Sequence, residues 1–220
     1  MQTWAAIFDW DGVIVDSSRQ HERSWEHLAG EEHRSLPVGH FTRSFGMKNE
    51  KIIPELLGWT HEQQEIRRLS LRKEELYREI IRRDGIRALP GVLEWLSQLR
   101  DASVPCAIGS STHRLNIETT LDKLGLVEYF CAIVSAEDVS HGKPHPEVFL
   151  LAAQKLGVES SQCVVFEDAH VGIEAARAAG MKVVGVATTH PSDSLNDADR
   201  VVHRLDELAV SELADWFTGH

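Results

Sequence analysis

The stretch AAIFDWDGVIVDS, residues 5–17, runs an apolar segment into two aspartates, Asp9 and Asp11, separated by one tryptophan and followed at once by Gly12. Two like charges that close repel unless something positive lies between them. Two later apolar runs also end in chemistry-bearing groups: CAIGSS reaches Ser110, and VVFED reaches Glu167 and Asp168. The loop SHGKPHP adds Lys143, and the proline after it favours an extended backbone at the lysine. Ligands of open α/β sheets bind outside the carboxyl ends of the strands, so these residues are expected on one rim. Four carboxylates there carry more charge than one lysine can balance. A hard divalent cation with oxygen ligands, most simply Mg²⁺, answers that excess. A lysine and a hydroxyl beside such an ion suit a phosphate, whose charge the ion and the lysine share.

The elements that must position these groups follow from periodicity. WAAIFDW, VPCAIGSS, CAIVSA, QCVVFED, KVVGVAT and RVVHRL read as short strands apolar on both faces, which suits a parallel sheet covered by helices on each side. Between them lie helix-period segments. Ile117, Leu121 and Leu124 share a face before Gly125, Pro146 suits a first helical turn in PEVFLLAAQKLG, and GIEAARAAG offers small residues for close helix–sheet packing. The fold class is α/β, a doubly wound parallel sheet of Rossmann-like type with an inserted α-helical cap. Residues 1–16 and 88–220 form the core, and residues 17–87 form the cap. In the cap, Ser17 and Gln20 stand at capping-box spacing, and His21, Trp25 and Leu28 share one face. Ile66, Leu69, Tyr77 and Ile80 make a second apolar stripe.

The composition bounds the partners. A net charge of −11 over 220 residues argues against nucleic acid or an acidic membrane as the main partner. No apolar run is long enough to span a bilayer, and the chain enters a strand too early for a signal peptide. Cys106, Cys131 and Cys163 each sit in an apolar run with no C-x-x-C spacing, so buried reduced thiols and a cytoplasmic location are expected. The 12 histidines are scattered, and without an H-x-x-x-H pair on a helix no zinc site is expected.

DWDGVIVDS, the Ser110 strand end, GKPHPEVF and FEDAHVGIEAA together resemble the four motifs of the haloacid dehalogenase superfamily, in its branch with a helical cap after the first strand. The beta-phosphoglucomutase and phosphoglycolate-phosphatase-like group is the most similar. Order and spacing match along nearly the whole chain, and the joint occurrence is specific where any one motif is weak. The resemblance implies that Asp9 attacks phosphorus and becomes an aspartyl phosphate. It implies that Asp11 protonates the leaving oxygen and then deprotonates the acceptor. Ser110 and Lys143 would hold the phosphoryl oxygens. The Mg²⁺ ligands would come from Asp9, Asp168 and Asp11, the last through its main-chain carbonyl, with Glu167 acting through water. Dehalogenases and phosphonate hydrolases of the superfamily lack the second aspartate, so Asp11 favours phosphate esters.

Other readings of these residues compete. Ser110, Ser111 or Thr112 could cap the next helix. Glu167 could simply pair with a lysine, and Asp16 and Ser17 read as cap and hinge. His113 lies just beyond a strand end, and His170 reads as a surface side chain. Lys73 falls within the cap's apolar stripe: either its stem is buried and its ammonium reaches water, or it reaches a substrate anion, as a lysine does in the resembling mutases. His21 matches a histidine of those mutases. Lys48 and Asn49, in FGMKNEKI, stand where the mutases carry a phosphate-gripping arginine. The expected protein is a Mg²⁺-dependent phosphatase, a monomer or weak homo-oligomer, acting on a small phosphorylated metabolite under a closing cap. A sugar phosphate is the class the resemblance implies. A hexose-phosphate mutase is the alternative. A receiver-like regulator is a remote one, because receiver domains are shorter, lack a cap and accept phosphate on a later strand.

Overall fold

The computed structural model describes residues 4–44 and 47–218. The first two residues of FGMKNEKI, Phe45 and Gly46, lie outside the described residues, as do the ends of the chain. Strand β1 (Ala5–Phe8) is followed by helices α1 (Ser18–Glu31), α2 (His40–Ser44), α3 (Asn49–Lys51) and α4 (Gln63–Asp84). Helix α5 (Val92–Asp101) then opens the alternating part: β2 (Cys106–Gly109), α6 (Arg114–Leu124), β3 (Ala132–Val134), α7 (Glu147–Leu156), β4 (Cys163–Glu167), α8 (His170–Ala178), β5 (Lys182–Val186), β6 (Arg200–Val202) and α9 (Val210–Ala214). Among the described residues no helix is long and apolar enough to cross a membrane.

The chain divides into two compact units, one made of the residues up to Asp16 with those from Ile86 onward, the other of Ser17–Gly85. The return to the sheet unit comes two residues before the expected position 88. Ile86 packs against the sheet's core, Ala88 bridges Val15 in antiparallel fashion, and the Leu89 N–H donates to the Ile14 carbonyl at 2.9 Å.

In the sheet unit the six strands are all parallel, in the order β3-β2-β1-β4-β5-β6. The period of two along β1 sends Ala6 and Phe8 to one face and Ala5 and Ile7 to the other. The first face packs with Trp95, Leu96 and Ile117 of α5 and α6. The second packs with Phe149, Ala152 and Ile173 of α7 and α8. Helices on both faces explain why the central strands are apolar throughout. The edges are less covered: Ala132 and Ile133 of β3 are only half-buried, and Cys131 just before it is exposed rather than buried as expected. Cys106 and Cys163, on inner strands, are buried thiols.

The helical unit has its own core, where Trp25, Leu28, Ile53, Ile66 and Leu69 meet. Helix α4 ends at Gly85, whose φ of +78° suits glycine. The expected Ser17–Gln20 capping box does not form. Ser17 already has near-helical backbone angles, whereas a capping serine needs an extended conformation. The Gln20 amide instead donates to the Gly85 carbonyl at 3.4 Å. Lys73 is buried with the α4 stripe, 3 % exposed, so its ammonium does not reach water. It donates to Glu74 at 3.0 Å and lies 2.7 Å from Nδ1 of His21, whose ring stacks on Tyr77. Asn49 is buried too, donating to Glu74 at 2.7 Å, while Lys48 is exposed at the start of α3.

Candidate active site

The order in which strands are added changes sense between β1 and β4: β2 and β3 extend the sheet to one side, β5 and β6 to the other. Loops leaving the two strands diverge there and open a crevice. Register then decides what lines it. Phe8 pairs with Phe166, and the Asp9 N–H continues the ladder to the Phe166 carbonyl at 2.9 Å, so Asp9 leaves the sheet level with Glu167.

The loop after β1 is tied down by its own backbone. The Ile14 N–H donates to the Trp10 carbonyl at 2.9 Å, and the Gly12 N–H to the Val15 carbonyl at 2.8 Å. Gly12 has φ +79°, and a Cβ on it would stand 2.0 Å from an Asp168 oxygen. Only glycine allows this turn and this approach.

Lys143 joins the two strands. Its Nζ lies 2.8 Å from Asp9 Oδ1 and 2.7 Å from Glu167 Oε2, and 4.9 Å from the centre of the Phe149 ring. Glu167 is fully buried, and its other oxygen accepts the N–H groups of Asp168 and Ala169 at 3.2 and 3.1 Å. Glu167 thus pairs with a lysine. Gly172 of α8 makes the room, since a Cβ there would meet the Glu167 carboxyl at 2.0 Å.

The electrostatics follow from burial. Burial raises the pKa of the Glu167 carboxyl, and the neighbouring Asp9 charge pushes the same way against the Lys143 ammonium. Asp168 is raised by burial and by Asp9 as well. Burial alone would lower Lys143, but Asp9 and Glu167 outweigh it and hold the ammonium charged. Oxygens of Asp9, Glu167 and Asp168 lie within 4.8 Å of one another. Three hard oxygen donors with an excess of negative charge over one lysine are the ligand set that Mg²⁺ takes, and no imidazole or thiolate stands among them. The residues fit that ion.

Asp11 lies apart from this trio. Its carboxylate accepts the Thr112 hydroxyl at 2.5 Å. Ser110 directly follows β2, buried, with its N–H on the Val134 carbonyl and its Oγ accepting the Thr112 N–H at 3.2 Å. None of Ser110, Ser111 and Thr112 caps α6. His113 holds the N-cap position, and Glu137 accepts the Arg114 N–H. His113 is engaged with the same Glu137 at 2.9 Å, and Asp16 and His170 are exposed.

Two further threonines were not anticipated. Thr188 donates to the Gly12 carbonyl at 2.5 Å, and Thr189 donates to the Asp168 carboxylate. Both follow β5, whose run KVVGVATT ends in two hydroxyls beside β4. The rule that singled out the ends of the other strands would have found them there. His21, Lys48 and Lys73 belong to the helical unit, where His21 and Lys73 contact each other as described above.

Comparison with known proteins places this geometry in context. The profile of a family described as haloacid dehalogenase-like hydrolase matches residues 5–180. The chain is similar to the chloroplastic 5-amino-6-(5-phospho-D-ribitylamino)uracil phosphatase of Arabidopsis thaliana, 39 % identical over 94 % of this chain and 56 % of that protein. It thus spans little more than half the length of that relative. It is 36 % identical to the fructose-1-phosphate phosphatase YqaB of Escherichia coli, over 82 % of this chain and 94 % of that one. It is 32 % identical to the beta-phosphoglucomutase of Bacillus subtilis, over 96 % and 95 %. Among solved structures, a HAD hydrolase of family IA, variant 3, from Entamoeba histolytica superposes with a TM-score of 0.86 at 26 % identity, covering 99 % of this chain and 100 % of that one.

Proposed function

This chain belongs to the haloacid dehalogenase-like hydrolases and is a phosphoryl-transfer enzyme, and from that premise we propose that it is a cytoplasmic, Mg²⁺-dependent phosphatase of small phosphorylated metabolites. The observation that carries the reading is Lys143 bridging Asp9 and Glu167 at 2.8 and 2.7 Å, with Asp168 in the same cluster. Asp9, Glu167 and Asp168 would hold Mg²⁺, which supplies positive charge for the phosphoryl oxygens.

Asp9 attacks phosphorus, forming an aspartyl phosphate as the bond to the leaving oxygen breaks. Asp11 gives its proton to that oxygen, then takes one from the water that splits the intermediate. The Thr112 hydroxyl fixes the Asp11 carboxylate for both transfers. Lys143 and Ser110 bind the transferred group's oxygens, so most of the acceleration is positioning and charge neutralisation. For the substrate, two relatives are named for phosphate on a polyhydroxylated carbon chain, fructose in one and ribityl in the other. That chemistry supports a sugar or sugar-alcohol phosphate here. A panel of phosphorylated metabolites with Mg²⁺, scored by phosphate release and run against Asp9→Asn, tests the reading. Release from a sugar phosphate that vanishes in the variant is expected. Isomerisation of glucose 1-phosphate outrunning release would replace the phosphatase with a mutase.

A further inference from the structure

The segment that delivers Lys143 carries a second cluster that the proposed chemistry does not use. His141 and His145 flank the lysine in HGKPHPE, and Glu147 opens α7 two residues later. Nδ1 of His141 lies 3.1 Å from Glu147 Oε2, and Nδ1 of His145 lies 3.8 Å from the same oxygen. The two rings are 4.7 Å apart between centres, and one donor atom from each of the three residues falls within 4.8 Å of the others. Around a tetrahedral ion with bonds of about 2.0–2.1 Å, donor atoms stand about 3.3 Å apart. The two nitrogen–oxygen separations bracket that value.

The carboxylate is already aimed. The Ser140 N–H donates to its Oε1 and the His141 N–H to its Oε2, both at 2.9 Å. Such supporting bonds orient a ligand before an ion arrives. The pair has H-x-x-x-H spacing but stands in a loop rather than on a helix, and the loop backbone turns the two rings together.

We propose that His141, His145 and Glu147 form a surface site for Zn²⁺ or a similar imidazole-preferring divalent ion, separate from the carboxylate cluster at Asp9. Ligand type keeps the two apart: imidazole nitrogens select Zn²⁺, Ni²⁺ or Cu²⁺, and an all-carboxylate set suits Mg²⁺. Three protein ligands leave the remaining coordination to water. The ion ties together residues on both sides of Lys143, while the lysine Nζ stays on Asp9 and Glu167.

The test is a calorimetric titration of Zn²⁺ into the full chain in excess Mg²⁺, with circular dichroism to confirm that each variant is folded. One Zn²⁺ equivalent that Mg²⁺ does not displace is expected. Its affinity falls by roughly tenfold or more in Glu147→Gln and is lost in His141→Ala/His145→Ala, while Asp168→Asn retains it. Absence of that equivalent, its persistence in the double histidine variant, or its loss in Asp168→Asn overturns the proposal.

Discussion

Asp9 and Asp11 stand two residues apart, yet the fold gives them different company: Lys143 for the first, a threonine hydroxyl for the second. That division is what two separate roles in phosphoryl transfer require, and it makes them separable by mutation. Asp9→Asn is expected to abolish the phosphoenzyme, which radiolabelled substrate and acid quench would show. Asp11→Asn still forms it from an ester such as p-nitrophenyl phosphate, whose leaving group needs no proton, and then hydrolyses it slowly. Thr112→Val removes a hydrogen bond to a charged group, a contribution of about 1.5–3 kcal/mol. With that bond serving the transition state, kcat is expected to fall roughly ten- to hundredfold with KM little changed. At this scale the sequence was most legible where a side chain ends a strand, which is how Asp9, Ser110, Glu167 and Asp168 were found. Thr188 and Thr189 are legible by the same rule at the end of β5, but Thr112 is not, because its partner Asp11 is set by the neighbouring strand and the pattern of its own strand does not reveal it.

Helices and strands set how closely those side chains can approach. On propensity alone, Gly172→Ala in α8 would strengthen a helix by about 1 kcal/mol. The Cβ would stand 2.0 Å from the buried Glu167 carboxyl, so the clash outweighs propensity. The expected result is a lower melting temperature together with weaker Mg²⁺ binding, measured by thermal shift with and without the ion. In α4 the sequence showed a lysine within an apolar stripe but not what it meets, because its partners come from α1 and from the next residue along. Lys73→Met takes the ammonium away from the buried Glu74 carboxylate, and removing one partner of a buried pair costs about 3–5 kcal/mol. Urea unfolding should show a lower midpoint with an unchanged slope. A midpoint equal to that of the unaltered protein would mean that the charge contributes nothing to the helical unit. Element type was legible from periodicity. Detail at element ends was not, as the missing capping box and the exposed Cys131 show, because ends depend on dihedrals and on edge position.

Across the whole molecule, the sheet order was implied only as far as alternation of strands and helices implies any doubly wound sheet; which strands adjoin β1 needed the structure. The buried carboxylates at that junction have a global consequence. Glu167 and Asp168 are raised above the ordinary carboxylate range, so the folded protein binds protons that the unfolded chain has released. Without metal, stability therefore declines as pH rises from the ordinary carboxylate range through the raised values. Mg²⁺ competes with those same protons, and its gain in melting temperature is expected to be larger at about pH 8 than at about pH 6. An equal gain at both would count against these carboxylates as ligands. The placement of β1 also governs the order in which the protein can assemble. Its partners are both distant in the chain: Ala6 pairs with Cys106, and Ala5 with Cys163. During synthesis the whole of Ser17–Gly85, with local contacts and a core of its own, is complete while β1 still has neither neighbour. A nascent chain ending before Cys163 holds Asp9 and Asp11 just past a strand with an open edge. Folding of the sheet unit thus waits until β4 has left the ribosome, and a chain cut short before Cys163 keeps one edge of β1 without its strand partner.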